Sequence, residues 1–236
     1  MKLETDHLPD GFSVLSDVFA ESEIELLVQA LTTITADGAY AIRNLLNLSP
    51  EINALARSSR MRSLAEKFLG RPAFPVRAML FDKTPSANWL VPWHQDLTIC
   101  VASRVDVPGY GPWTRKAGVL HVQPPVPILE SMISIRIHLD DCDASHGALR
   151  VLPRTHKSGR LTTEQIAEQQ RLKTPVCCEV QQRGVVLMKP LLLHSSSAAL
   201  KPAHRRVIHI DYASSHLHGG LQWYTTASGD TASDPD

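Results

Sequence analysis

Three His-x-Asp triplets punctuate this chain: His94-Gln95-Asp96, His138-Leu139-Asp140 and His209-Ile210-Asp211. On an extended strand, residues i and i+2 point to the same face. Each triplet can therefore offer an imidazole and a carboxylate to one metal ion. A second histidine from elsewhere would complete a two-His, one-carboxylate set, the arrangement with open positions that suits a non-haem Fe(II) centre.

Context separates the three. His138 and His209 lie inside apolar runs, and their aspartates fall at or near the ends of those runs. Both read as polar-face residues of half-buried strands. His94 instead follows Asn88-Trp89-Leu90-Val91-Pro92-Trp93, a proline-broken approach to a new strand. Such strand ends present side chains into clefts. The remaining ligand should come from far downstream, and His194 fits. It closes the run Val185 to Leu193 and precedes Ser195-Ser196-Ser197. Eleven residues after His194 comes Arg205, at the start of the run Val207 to Tyr212. A guanidinium entering an apolar strand needs a carboxylate or phosphate partner, and it captures a carboxylate bidentately. Beside a metal triad, Arg205 becomes a clamp for a dicarboxylate co-substrate.

The elements that must position these residues follow from pattern and composition. The 236 residues suit one domain spanning 1–236, and lysine plus arginine balance aspartate plus glutamate at 24 each. That balance gives no bulk electrostatic case for nucleic acid or an acidic membrane. No apolar run is long enough to cross a bilayer and no apolar leader opens the chain, so the expected compartment is the cytoplasm. Cys100, Cys142, Cys177 and Cys178 form no CxxC pair and read as free thiols.

A helical layer is expected over about 20–70. Ser22-Glu23-Ile24-Glu25 reads as a capping box, with Ile24, Leu27, Leu31 and Ile34 at helical spacing behind it. Ser49-Pro50-Glu51 starts a second helix, and Met61 to Leu69 a third, stopped by Gly70. From about 74 to 214 the texture is that of strands and turns. Expected strands are Phe74–Phe81, Leu97–Val101, Met132–Leu139, Ala148–Leu152, Val185–Met188 and Val207–Tyr212. Thr162 with Gln165 opens one helical insert. The polar tail after about 225 should fray. The expected class is mainly β with N-terminal helices, as a sandwich or barrel.

In combination these pieces resemble the phytanoyl-CoA dioxygenase family of Fe(II)/2-oxoglutarate oxygenases. The matching pieces are Trp93-His94-Gln95-Asp96, then Gly147-Ala148-Leu149-Arg150-Val151-Leu152-Pro153 with His156, then His194 with Ser196 and Arg205. They run in family order across Phe74 to Ser214. The resemblance implies a double-stranded β-helix, the cupin-like jelly roll. It implies Fe(II) on His94, Asp96 and His194, and 2-oxoglutarate on Arg205 and Ser196, with Lys83 and Asn88 as further co-substrate contacts. It also implies reaction with O2, hydroxylation of a small-molecule substrate, and release of succinate and carbon dioxide. Related halogenases carry a small residue in place of the carboxylate, so Asp96 favours hydroxylation or desaturation over halogenation.

Two departures stand out. Pro153-Arg154-Thr155-His156 replaces a Pro-Gly-Ser-His turn, and Arg136 stands where some relatives carry an aromatic residue. Trp89, Trp113, Arg136 and His138 are the expected substrate contacts, and Gly109 to Lys116 is a candidate lid. Two other classes compete. One is a jelly roll that binds metal or a small molecule without turnover. The other is a zinc hydrolase on the same triad, which would leave Arg205 without a task.

Overall fold

The computed structural model describes residues 8–35 and 40–224. The tail after about 225 lies outside the described residues. In chain order the elements are β1 (Phe12–Leu15), α1 (Glu21–Thr32), β2 (Ala41–Arg43), α2 (Leu45–Leu48), α3 (Pro50–Arg57) and α4 (Ser59–Leu69). Next come β3 (Phe74–Lys83), β4 (Val91–His94), β5 (Ile99–Val101), β6 (Trp113–Lys116), β7 (Val119–Val122) and α5 (Val126–Glu130). The chain continues with β8 (Met132–His138), β9 (Leu149–Val151), α6 (Thr163–Leu172), β10 (Val176–Cys178), β11 (Val185–Met188), β12 (His194–Ser196) and β13 (Arg205–Ala213).

The helices form where their caps and apolar spacing direct. Ser49 Oγ accepts from Ile52 N at 3.2 Å, which leaves Pro50 at a first-turn position where its missing N–H costs nothing. Thr162 and Gln165 cap α6 reciprocally. At α1 the capping box sits two residues earlier than the sequence suggests. Glu23, not Glu25, reaches back, accepting from Ala20 N at 2.8 Å. The same carboxylate takes Arg60 of α4 bidentately, at 2.7 and 3.0 Å, and this fixes the start.

Strands β1-β11-β8-β13-β3-β2 make a six-stranded sheet, and β10-β9-β12-β4 a four-stranded one. A three-stranded sheet, β5-β7-β6, adjoins them. Strict alternation divides the large sheet into two faces. On β8, Ile133, Ile135 and Ile137 are fully buried against Ile24, Leu31, Ile52 and Met61 of the helical layer. Each such side chain stabilises by roughly 1.5–3 kcal/mol relative to exposure. Tyr212 anchors β13 to that layer by donating its hydroxyl to Ala56 O at 2.8 Å. The opposite face of the sheet turns toward the four-stranded sheet, with Val186 and Met188 packing against Leu149 and Val151.

Two further expectations need correction, the reading of His138 and His209 and that of the lid. His138 and His209 are each only 1% exposed, so they are interior residues and not the polar faces of half-buried strands. Their aspartates also part company: Asp140 pairs with Arg206 at 2.6 Å, whereas Asp211 stays with His209. The candidate lid is in part a strand, because Trp113 to Lys116 pairs antiparallel with Val119 to Val122. The turn at Arg154 keeps a left-handed backbone, φ 69°, without glycine. The side chain that would make this costly is used, since Arg154 Nε donates to Asp10 Oδ1 at 2.9 Å.

Candidate active site

The site begins with one strand pair. β12 runs antiparallel to β4, with His194 directly opposite His94. The two imidazoles meet with ring centroids 4.2 Å apart. Each ring is oriented by the backbone carbonyl two residues earlier: His94 Nδ1 donates to Pro92 O at 2.8 Å, and His194 Nδ1 to Leu192 O at 2.9 Å. A carbonyl can only accept, so Nδ1 carries the proton and Nε2 is left with a free lone pair on both rings. Asp96 completes the set, its carboxylate 3.9 Å from His94 Nε2 and 3.6 Å from His194 Nε2. One ligand atom from each residue lies within 4.8 Å of the others, the only such group of three among the described residues. Burial lowers the His194 imidazole to about 4 against the pull of Asp96, so it stays neutral, as a metal donor must. Burial alone would raise Asp96, but His194, His209, Arg77 and His94 outweigh it and hold the carboxyl low. Two imidazoles with backbone-fixed tautomers, and one carboxylate, fit a divalent first-row metal with open positions.

A cavity of about 140 Å³ opens from this triad. Arg205, Ser196, Arg136 and Trp89 line it, together with the apolar Phe81 and Met79. Arg205 is 4% exposed; its Nη1 donates to Gly147 O at 2.9 Å, and its Nε has no partner. Gly147 must be glycine here. Its φ is +70°, and a Cβ would stand 2.4 Å from Ser197 O. Lys83, opposite Arg205 on β3, donates to Ser196 Oγ at 3.2 Å and to Ser197 O. Among the described residues, no carboxylate forms an ion pair with Lys83, Arg136 or Arg205. The interior is thus built to receive an anion.

The geometry has counterparts among known proteins. The model of the family described as phytanoyl-CoA dioxygenase (PhyH) matches residues 9–207. The chain belongs to this family. Like its other members, it is a 2-oxoglutarate-dependent non-haem iron oxygenase, with Fe(II) and 2-oxoglutarate as cofactor and co-substrate. No curated protein matches the chain. Among solved structures it resembles AviO1 from Streptomyces viridochromogenes Tue57, at 24% identity and TM-score 0.63, over 88% of this chain and 91% of that one. It also resembles SnoK, described as a carbocyclase from nogalamycin biosynthesis, at 14% identity and TM-score 0.70, over 92% and 85%. A third is EctD from S. alaskensis with 2-oxoglutarate and 5-hydroxyectoine, at 21% identity and TM-score 0.68, over 87% and 73%. At these identities the likeness is one of fold, the cupin-like jelly roll.

The structure of this PhyH-family chain brings His94, Asp96, His194, Ser196, Arg205, Arg136 and Trp89 around one cavity. Lys83 reaches the same place through Ser196. Three expected residues stand elsewhere. Asn88 is spent on the backbone of Ala199, donating to its O at 2.9 Å and accepting from its N at 2.6 Å. Trp113 packs on the cluster around Ile99 and Val122, with Arg104 over its ring at 5.4 Å. His138 is buried, and neither ring nitrogen has a partner. Burial, aided by Arg136 and Arg205, lowers its pKa to about 3.

Sequence reasoning missed two features. Gln95, between the two ligands, points the other way: its Nε2 donates to Gly159 O at 2.8 Å and Leu191 O at 2.7 Å, and its Oε1 accepts from Leu161 N at 2.9 Å. The second is the row Arg205, Val207, His209, Asp211 on one face of β13, which alternation alone reveals. Gln95→Leu removes three hydrogen bonds, one buried and two part-buried, and strands their backbone partners. The expected outcome is a loss of about 2–4 kcal/mol of stability with weakened Fe(II) retention, read by denaturant melts and metal analysis. Unchanged values would show that Gln95 does not hold the ligand turn.

Proposed function

We propose that this chain is a single oxygenase domain that hydroxylates a small organic substrate, releasing succinate and carbon dioxide from 2-oxoglutarate. His94, Asp96 and His194 would hold Fe(II), and Arg205 with Ser196 would receive the distal carboxylate of 2-oxoglutarate. The observation that carries this reading is the joining of the triad and an unpaired buried Arg205 in one cavity. A non-catalytic binder or a zinc hydrolase needs the first but not the second. When bound, Fe(II) would supply open coordination positions and the means to activate O2, which is the oxidant for attack on a C–H bond.

The protein's own part is orientation and exclusion of water. Backbone carbonyls fix the two imidazole tautomers. Arg205 offers a planar fork to a carboxylate, and Lys83 holds Ser196 in place beside it. Trp89 stands over Lys83 with the ammonium 5.8 Å from its ring, and together with Val91 and Leu149 lines the cavity with apolar surface. Asp96 fills the carboxylate position, which supports hydroxylation over halogenation. No helix among the described residues is long and apolar enough to cross a membrane, in keeping with the cytoplasmic location we infer.

Anaerobic Fe(II) plus 2-oxoglutarate should give a visible metal-to-ligand charge-transfer band, absent in His94→Ala and lost or greatly weakened in Arg205→Ala. A colourless protein whose Fe(II) and 2-oxoglutarate affinities ignore both substitutions would refute the assignment. The same band reports on pH. Burial, then Arg205 and to a lesser degree Arg136, depress Lys83 to about 8 despite an opposing effect of Cys142. Lys83 is therefore charged below pH 8 and neutral above it. Affinity for dianionic 2-oxoglutarate should fall by roughly tenfold as pH rises through that value, and Lys83→Met should flatten this limb. An identical limb in Lys83→Met would assign it to another group.

A further inference from the structure

Arg136 does nothing in the account above, yet it is among the most elaborately supported side chains in the interior. It is 8% exposed, lines the cavity, and stands opposite His209 across the β8–β13 ladder. Its Nη1 donates to His209 Nδ1 at 2.9 Å, while its Nε has no partner. His209 accepts at Nδ1, so its proton is on Nε2, which donates to Asp211 Oδ1 at 2.9 Å. Ser134 Oγ donates to the same oxygen at 2.6 Å, and Arg77 Nε donates to Oδ2 at 2.5 Å. Arg77 Nη1 then reaches Thr98 O, two residues beyond Asp96, at 3.3 Å.

The charges in this chain do not cancel. Asp211 is matched by Arg77, and His209 is neutral in the tautomer that the hydrogen bonds require. Arg136 is left as a buried cation with a nitrogen unsatisfied, a costly state unless an anion arrives. Its place along the barrel says which anion. Arg205 sits at the start of β13 opposite Lys83, whereas Arg136 of β8 sits opposite His209, four residues further along β13 and near Asp211. That is the end at which the triad lies, since Arg77, bound to Asp211, reaches Thr98 O just beyond Asp96, and His94, Asp96, Arg136 and His209 line one cavity. An oxygenase of this kind brings one anionic group to its metal, the carboxylate next to the keto group of 2-oxoglutarate.

We propose that Arg136 receives this 1-carboxylate, so that 2-oxoglutarate is held by a guanidinium at each end, Arg205 at the distal carboxylate and Arg136 at the metal end. His209, Asp211 and Arg77 are positioning residues. They fix the Arg136 fork before the ligand arrives, which lowers the ordering cost of binding. The inference rests on the ligand and Arg205 assignments proposed above and adds a second contact to them.

Truncating the ligand separates the two ends. 2-Oxobutyrate keeps the 1-carboxylate and the keto group but lacks the distal carboxylate. Both oxo acids are titrated anaerobically into the Fe(II)-loaded full chain, with Kd read by calorimetry. Arg136→Gln should weaken both by a similar factor, roughly 10- to 100-fold, with Arg136→Lys recovering part of the loss for both. Arg205→Gln should weaken 2-oxoglutarate alone. His209→Gln should weaken both ligands by a smaller factor than Arg136→Gln, and it carries the comparison if Arg136→Gln does not fold. Loss of 2-oxoglutarate but not 2-oxobutyrate in Arg136→Gln would place Arg136 at the distal end and overturn the proposal. Unchanged affinities for both would overturn it too, and would turn Arg136 toward the oxidised substrate. If the wild type binds neither acid, the underlying assignment fails with it; if Arg205→Gln behaves as stated while Arg136→Gln is silent, only the second contact fails.

Discussion

The pairing of His194 with His94 across β12 and β4 is the constraint on which the rest of the site depends. Directly opposed residues in an antiparallel pair stand about 4.5–5.5 Å apart at Cα, close enough for two imidazoles to share one ion. Register decides this: slipping either strand by one residue would turn its histidine to the other face. The neighbouring elements hold that register. β9 flanks β12 on its other side, with Val151 opposite His194. Gln95 staples the turn between His94 and Asp96 to the segments around Gly159 and Leu191. Asp96 N donates to Pro190 O at 2.9 Å, closing the same corner from the backbone.

The second organising fact is electrostatic. The inner face of the large sheet is unusually polar for a barrel interior. Among the described residues its one buried arginine–carboxylate pair, Arg77 with Asp211, is complete: burial would raise the Asp211 carboxyl, but Arg77 and His209 outweigh it and hold it well below the usual carboxylate range. Lys83, Arg205 and Arg136 have no such partner. Burial and their mutual repulsion lower Arg136 to about 10 and Lys83 to about 8. Such an interior is poor as a core and good as a receptor. Helices on the outer face supply the stability that the inner face forgoes, through Ile133, Ile135, Ile137, Ile208, Ile210 and Tyr212.

Much of this was readable in the residues themselves. Cap signals placed α3 and α6, and alternation on β8 assigned Ile133, Ile135 and Ile137 to one face. The order His94, Asp96, His194, Arg205 was visible because types and spacing carry the chemistry. Some short strands were not readable, although β5, β9 and β11, equally short, fell within expected apolar runs. β1, β2, β4 and β12 have three or four residues each, too few for a period to show, and they exist because longer strands pair with them. The hairpin of β6 and β7 was hidden by its Pro- and Gly-rich approach and read as a lid. Depth was also hidden: alternation tells which residues share a face, but not that the face of His138 and His209 looks into a closed interior. The same gap misplaced Asn88, whose amide is taken up by Ala199, a contact 111 residues away.

Crystals soaked without oxygen in Fe(II) and 2-oxoglutarate, with anomalous data collected on both sides of the iron edge, test the central claim most directly. The account predicts one strong iron peak bounded by His94 Nε2, His194 Nε2 and the Asp96 carboxylate, with 2-oxoglutarate reaching from it to Arg205. Iron at any other residues, or 2-oxoglutarate density that does not bridge the metal and Arg205, would contradict it.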